Sequence, residues 1–242
     1  MKKQFIWLIF CALLSMNTYA QLELVKGGNM EDASKWTGYW QTQPDMTAGT
    51  QEFNYTAKTP AKGEGGCYRI TLEGQSNGFI YQAITVTPGH RYKIEAAVRS
   101  IGTDTIESTW MRVFLTPNKP DGKGDIADKK GYVIDSWMPK GDSIMSNMDG
   151  TIQDIWSLHA LNNGEKYITI AENDTATTYY IVVKVGCWNT PGKARKLDIL
   201  FDKVSVADMD IITSGTTQVE LVKGGNMEDA SKWTAYFQDQ PD

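Results

Sequence analysis

Tyr92-Lys93-Ile94-Glu95-Ala96-Ala97-Val98-Arg99 has a period of two, with apolar residues at the even positions and mostly charged ones at the odd. Successive side chains of a strand point to opposite faces, so this stretch reads as a strand with one buried face. Pro88-Gly89 just before it predicts a turn joining it to the apolar segment 79–86. Working outward, further strands are expected at 67–72, 110–115, 166–171, 179–187 and 197–206, bounded by Gly, Asn, Asp and Pro clusters, and no helix of ordinary length is expected. Many short strands with turn signals predict an all-β, antiparallel two-sheet sandwich of the jelly-roll type. The stretch 117–154, rich in Gly, Asp, Lys and Met, is long for a loop and reads as a functional insertion or a flap.

Residues 21–45 return almost unchanged at 218–242, differing only at Leu22/Val219, Gly38/Ala235, Trp40/Phe237 and Thr42/Asp239. That is a duplicated unit. The repeat sets one module at 21–208, a linker at 209–217 in which Ser214-Gly215-Thr216-Thr217 is small and polar, and the truncated start of a second copy at 218–242, which reads as a fragment of a longer tandem protein in preference to a tail pairing with the first module as an extra strand. Ahead of the module, Met1-Lys2-Lys3, the apolar run Phe5 to Leu14 and the small-residue end Thr18-Tyr19-Ala20 form a secretory signal peptide, 1–20. The run is shorter than the roughly 20 residues a bilayer requires. The expected location is therefore secreted, periplasmic or cell-surface, with no membrane insertion once the signal is removed.

The formal net charge of -5 provides no clustered basic patch for phosphate contacts, so nucleic acid is excluded as a partner. Cys67 and Cys187 remain after signal removal, and they form either one bridge or two buried thiols. Aromatic residues are 11% of the chain, including 8 Trp and 11 Tyr, a generous supply of flat amphipathic faces.

Four segments, taken in order, resemble one family. Gly27-Gly28-Asn29-Met30-Glu31 with Trp36 is similar to an opening "N-G-D-F-E … W" motif, and Phe79-Ile80-Tyr81-Gln82 through Pro88-Gly89-His90-Arg91-Tyr92 to a central "Q-x-V-x-V-x-P-G-x-x-Y" hairpin. Trp156 precedes the late strands, and Leu200-Phe201-Asp202-Lys203-Val204-Ser205 is similar to a closing "I-D-D-V-S". Together they span nearly all of 21–208, and the chain resembles the jelly-roll carbohydrate-binding modules of the family 4, 9 and 22 type found beside bacterial glycanases. It departs from them with Gly27 for Asn, Met30 for Phe and Lys203 for the second Asp. The resemblance implies a structural calcium with Asn29, Glu31 and Asp202 as candidate ligands; calcium takes six to eight oxygens, of which these residues supply part. The alternative is that Glu31 and Asp202 are ordinary turn and strand-end carboxylates.

The resemblance also implies a poly- or oligosaccharide partner. An exposed ring stacks on the C–H face of a pyranose, and polar side chains nearby take the hydroxyls. Alternation in 109–115 puts Trp110, Arg112 and Phe114 on one face and Met111, Val113 and Leu115 on the other, the second set being core-like. The same parity turns Ile181, Val183, Val185 and Cys187 inward and leaves Tyr180, Lys184 and Trp188 outside, with Lys93, Glu95 and Arg99 placed on that side as well. Tyr39, Trp40 and Trp137 complete a candidate rim. The carbohydrate-binding set is then Trp110, Arg112, Trp188, Tyr180, Trp40, Tyr39, Trp137 and Arg99, against the alternative that several rings pack under the long insertion.

Catalysis has little to stand on. Gly74-Gln75-Ser76-Asn77-Gly78 matches G-x-S-x-G, but that motif works at a strand-to-helix turn and here lies between two strand patterns. The two histidines, His90 and His159, lack metal-binding companions in sequence, and Asp125 and Asp128 read as solvated loop charge. The expectation is non-catalytic carbohydrate binding. Its rivals are a structural or adhesive module gripping a protein partner, and the targeting arm of a longer glycoside hydrolase.

Overall fold

The computed structural model describes residues 19–41, 46, 48–102, 109–135, 148–157, 167–187 and 196–214. The signal segment through residue 18, the second repeat copy, and Trp137, His159 and Trp188 lie outside the described residues. Gln21–Ile211 forms one compact unit. It carries the sandwich.

Two antiparallel sheets pack as a jelly roll. Five strands form one sheet: β2 (Thr37–Trp40), β5 (Ser76–Thr85), β11 (Thr178–Cys187), β7 (Thr109–Thr116) and β8 (Lys130–Asp135), neighbours in that order. The other sheet runs β10 (Tyr167–Thr169), β6 (Arg91–Ser100), β12 (Lys196–Ser214), β4 (Cys67–Glu73) and β3 (Thr50–Tyr55). In addition β1 (Tyr19–Glu23) pairs with β12, and β9 (Asp149–Thr151) with β6. The helical content among the described residues is small: α1 (Ile152–Ser157) and one 3-10 turn, Ala33–Lys35.

Two-residue periodicity places the core. Tyr92, Ile94, Ala96 and Val98 of β6 are all buried, as are Met111, Val113 and Leu115 of β7 and Ile181, Val183, Val185 and Cys187 of β11. Trp36 is buried as well, its indole N–H donating to the Gly27 carbonyl at 3.1 Å. Cys67 and Cys187 are buried thiols not bridged to each other, and burial pushes the Cys67 thiol up to about 11.

Several sequence expectations change in three dimensions. Pro88-Gly89 does not close a hairpin: β5 and β6 belong to different sheets, and the turn carries the chain across the sandwich. The Gly74-Gln75 turn does the same between β4 and β5, strand to strand, with Ser76 buried at the start of β5. The stretch 117–154 is not a single insertion, since it contains β8, β9 and the first residues of α1. β12 also runs on to Ser214, into the stretch read as linker; Asp208 accepts from the Asp210 and Ile211 N–H groups, and Arg91 pairs with Asp210 at 2.8 Å.

One close approach fixes the geometry of the five-stranded sheet. Gly186 pairs with Trp110 across β11 and β7, and a Cβ on it would stand 2.2 Å from Trp110 Cζ2. Only glycine leaves room for the indole there. Gly186→Ala is expected to lower unfolding stability by about 1–3 kcal/mol, the usual cost of overpacking, measured by urea denaturation.

Candidate functional site

The outer faces of the two sheets differ. On the seven-stranded sheet the outward side chains form ion pairs: Arg69 bonds Asp198 through two nitrogens, at 2.9 and 2.7 Å, Lys93 meets Glu95 at 2.5 Å, and Arg99 meets Asp149 at 3.4 Å. That is ordinary for an antiparallel sheet with one wet face. On the five-stranded sheet the outward positions are aromatic and apolar, with Tyr39, Phe79, Tyr81, Tyr180, Val182, Phe114 and Trp110 sharing one side.

Register explains how that face is assembled. One rung runs Tyr39–Phe79–Lys184–Arg112 across β2, β5, β11 and β7; the next runs Tyr81–Val182–Phe114. Tyr39 stacks on Phe79 with centroids 5.8 Å apart and planes 12° apart, and on Tyr81 at 6.2 Å. Tyr81 meets the Tyr180 ring edge-on at 5.8 Å. At the far rung Trp110 donates its indole N–H to Asn77 Oδ1 at 3.2 Å, while Asn77 Nδ2 donates to Gln41 Oε1.

A loop, 117–129, connects β7 to β8 and folds back over this face. Ile126 packs into the Phe79, Tyr81, Phe114 and Val182 cluster, Thr116 Oγ1 donates to the Ala127 carbonyl at 2.8 Å, and Gly122 abuts the Tyr39 ring. Asp125, on the same loop, is shared by three cations: Lys184 Nζ at 3.0 Å, Lys129 Nζ at 2.8 Å and Arg112 Nη1 at 3.6 Å. The Lys184 side chain is only 3% exposed and that of Asp125 61%. Burial holds the Lys184 ammonium below the usual lysine range, with Asp125 opposing the shift. For Asp125 partial burial opposes ionisation, but the hydrogen bonds and charges of Lys129 and Lys184 outweigh it and hold the carboxyl well below the usual carboxylate range. Asp125 is therefore more than solvated loop charge.

Of the sequence-derived saccharide residues, Trp110, Arg112, Tyr180 and Tyr39 come together on this face, Trp110 and Arg112 largely covered and Tyr39 39% exposed. Trp40 turns toward the core, against Gly78 and Ile70. Arg99, with Lys93 and Glu95, belongs to β6 in the other sheet, so the three do not share the aromatic side. Trp137 and Trp188 lie outside the described residues. Sequence reasoning did not place Phe79, Tyr81 or Asp125 here. Alternation in β5 supplied a signal for the two rings, but only pairing with β2 and β11 fixes which sheet carries them.

The candidate metal residues also converge. Glu31 Oε1 accepts from Gly66 N at 3.3 Å and Oε2 from Asn29 Nδ2 at 2.9 Å; Asp202 accepts from Glu64 N at 2.8 Å and Lys203 N at 2.7 Å. A Cβ at Gly63 or Gly65 would lie 2.2 Å from Asp202 Oδ2 or Glu31 Oε1, so the loop passes close by because it is glycine. Burial, then the nearby Glu31 charge, pushes the Asp202 carboxyl up. The donors are all hard oxygens, as calcium requires, but no group of three His, Cys, Asp or Glu side chains converges among the described residues. Backbone carbonyls would have to complete the shell.

No protein-family model and no curated protein sequence matches the chain. Among solved structures, TmCBM61 in complex with β-1,4-galactotriose is similar over 76% of this chain and 98% of its own, at 7% identity and a TM-score of 0.42. The K3 cleaved adhesin domain of Lys-gingipain from Porphyromonas gingivalis matches over 78% and 99%, at 10% identity and a TM-score of 0.38. The enzymatically active domain of bacteriophage CBA120 tailspike protein 4 matches over 75% of this chain but 20% of that one, at 14% identity and a TM-score of 0.42.

A cleft of about 660 Å³ lies at the irregularity between Asp202 and Ser205 of β12 and is lined in part by Glu23, Glu95, Lys62 and Lys203. Glu23 Oε1 accepts from Val25 N at 2.8 Å and Val206 N at 3.0 Å. Burial pushes its carboxyl above the usual range, the Glu95 charge adds to this, and the backbone N–H groups oppose it. A raised folded pKa means the native state holds this proton more tightly than the unfolded chain, so the group's contribution falls as pH rises through that window. Glu23→Gln keeps an acceptor oxygen without the charge. It is expected to be more stable than wild type at pH 7, with the advantage shrinking toward pH 4, in paired urea titrations.

Proposed function

We propose that the protein is a non-catalytic, exported module that binds a poly- or oligosaccharide on the outer face of its five-stranded sheet. The observation that carries this reading is the contrast between the sheets: one outer face carries ion pairs between partly exposed side chains, while the other presents Tyr39 stacked on Phe79 and Tyr81 with Tyr180 beside them. Tyr39 is exposed and Tyr180 half-buried at the edge of this band, the rest lying beneath loop 117–129, and rings with adjacent cations suit the C–H faces and hydroxyls of a sugar chain. The ordered motifs from Asn29 to Ser205 support the same reading. Repetition of the module along one chain would raise a weak site's avidity.

Crowding favours a second reading. Phe79, Phe114, Val182 and Trp110 are buried, and loop 117–129 lies over part of the cluster, so a protein partner gripping Tyr39 and the loop is the adhesive alternative. A targeting role beside a glycoside hydrolase is compatible with either.

For the metal we propose a structural calcium held by Glu31, Asp202 and the Asn29 side-chain oxygen, relieving the two neighbouring carboxylates. Calcium at pH 7 is then expected to raise Tm relative to a chelated sample, and Asp202→Asn to remove most of that rise, by scanning calorimetry.

The saccharide reading is tested on the full chain by affinity gels and calorimetry against a polysaccharide panel. Tyr39→Ala and Tyr180→Ala are each expected to weaken binding about tenfold, or about 1.4 kcal/mol, with the unfolding midpoint nearly unchanged. Absence of binding to every glycan by the folded protein favours the adhesive reading.

A further inference from the structure

Resting on the saccharide reading of this face, we propose that its ligand is an acidic glycan, whose uronate carboxylate takes the place of Asp125 on Lys184, Arg112 and Lys129. Lys184 stands in the middle of the aromatic face, paired in register with Phe79 on one side and Arg112 on the other. Its side chain is 3% exposed, and a buried ammonium without an anion is strongly unfavourable. The anion it has is supplied not by the sheet but by Asp125, at 61% exposure on a surface loop. The cations lie beneath and the carboxylate at the mouth.

This arrangement selects among ligands. A chain entering along the sheet must move the loop, because Ile126 sits on Phe114 and Val182 and Gly122 touches Tyr39. A neutral sugar that displaces Asp125 strands Lys184 without a counter-charge, whereas a uronate restores one with the same two-oxygen geometry that Asp125 shows, Oδ1 toward Lys184 and Arg112 and Oδ2 toward Lys129. Tyr39 and Lys184 are two strands apart, about 10 Å at the usual strand spacing. An oligosaccharide can therefore stack on the exposed ring and place a carboxylate on the lysine. Loop 117–129 then acts as a carboxylate-bearing cover that competes with the ligand.

The experiment compares de-esterified oligogalacturonate with its methyl ester, alongside neutral polysaccharides, by calorimetry on the full chain. Asp125→Asn is expected to bind the acid at least tenfold more tightly than wild type does, and still to prefer the acid to its methyl ester. Adding Lys129→Gln, a loop substitution away from the buried core, is expected to return part of that gain, and the acid's affinity should fall with added salt while the ester's holds. Equal binding of acid and ester by a folded Asp125→Asn that still binds neutral glycans overturns this inference and leaves the saccharide reading standing. Loss of acid binding in Asp125→Asn overturns the displacement. No binding of any glycan by any variant overturns both.

Discussion

The whole arrangement depends on β11 being buried on both sides. A strand's side chains alternate, and Ile181, Val183, Val185 and Cys187 fill the space between the sheets, while Val182, Lys184 and Gly186 face the other way and are buried too. An outward face can be dry only if something covers it. Here Tyr39, Tyr81 and loop 117–129 contribute to that cover, and they do so because β11 is the central strand, flanked by β5 and β7.

Covering that face creates an electrostatic demand. An apolar outward residue at 184 would simply have joined the Phe79, Phe114 and Val182 cluster. Lysine instead has to be neutralised within a low-dielectric layer, and the answer is a carboxylate reaching over from the loop. Arg112, in register with Lys184, makes the demand larger, and Lys129 bonds both Asp125 and the Ile126 carbonyl, tying the loop to its own anion. The charged group nearest the aromatic band is thus also what fastens its cover.

The opposite sheet solves its outer face with side chains of its own strands. Arg69, Asp198 and Glu52 lie on adjacent strands and neutralise one another in water, Arg69 also resting 4.6 Å over the Tyr55 ring. Nothing need be placed over them. The irregularity of β12 between Asp202 and Ser205, with Lys203 at positive φ, breaks this regularity at one place, turns Asp202 toward loop 63–66 and opens the cleft beside Glu23.

By itself the sequence determined which residues face in. The alternation of β6, β7, β11 and the first part of β12 was legible because burial on one face imposes period two on any strand, whatever its partners. The short strands β2, β3 and β8 were not, since edge strands bury little apolar area and their composition gives no clear apolar/polar alternation, even where, as in β3, burial itself alternates. Only the tertiary structure decided which sheet each strand joins, and that moved Arg99 away from Trp110, made the Pro88-Gly89 turn a crossing between sheets, and set Asp125 on Lys184. The physical reason is that pairing is non-local: the partners of β11 lie far earlier in the chain, at 76–85 and 109–116, and no local pattern carries their register.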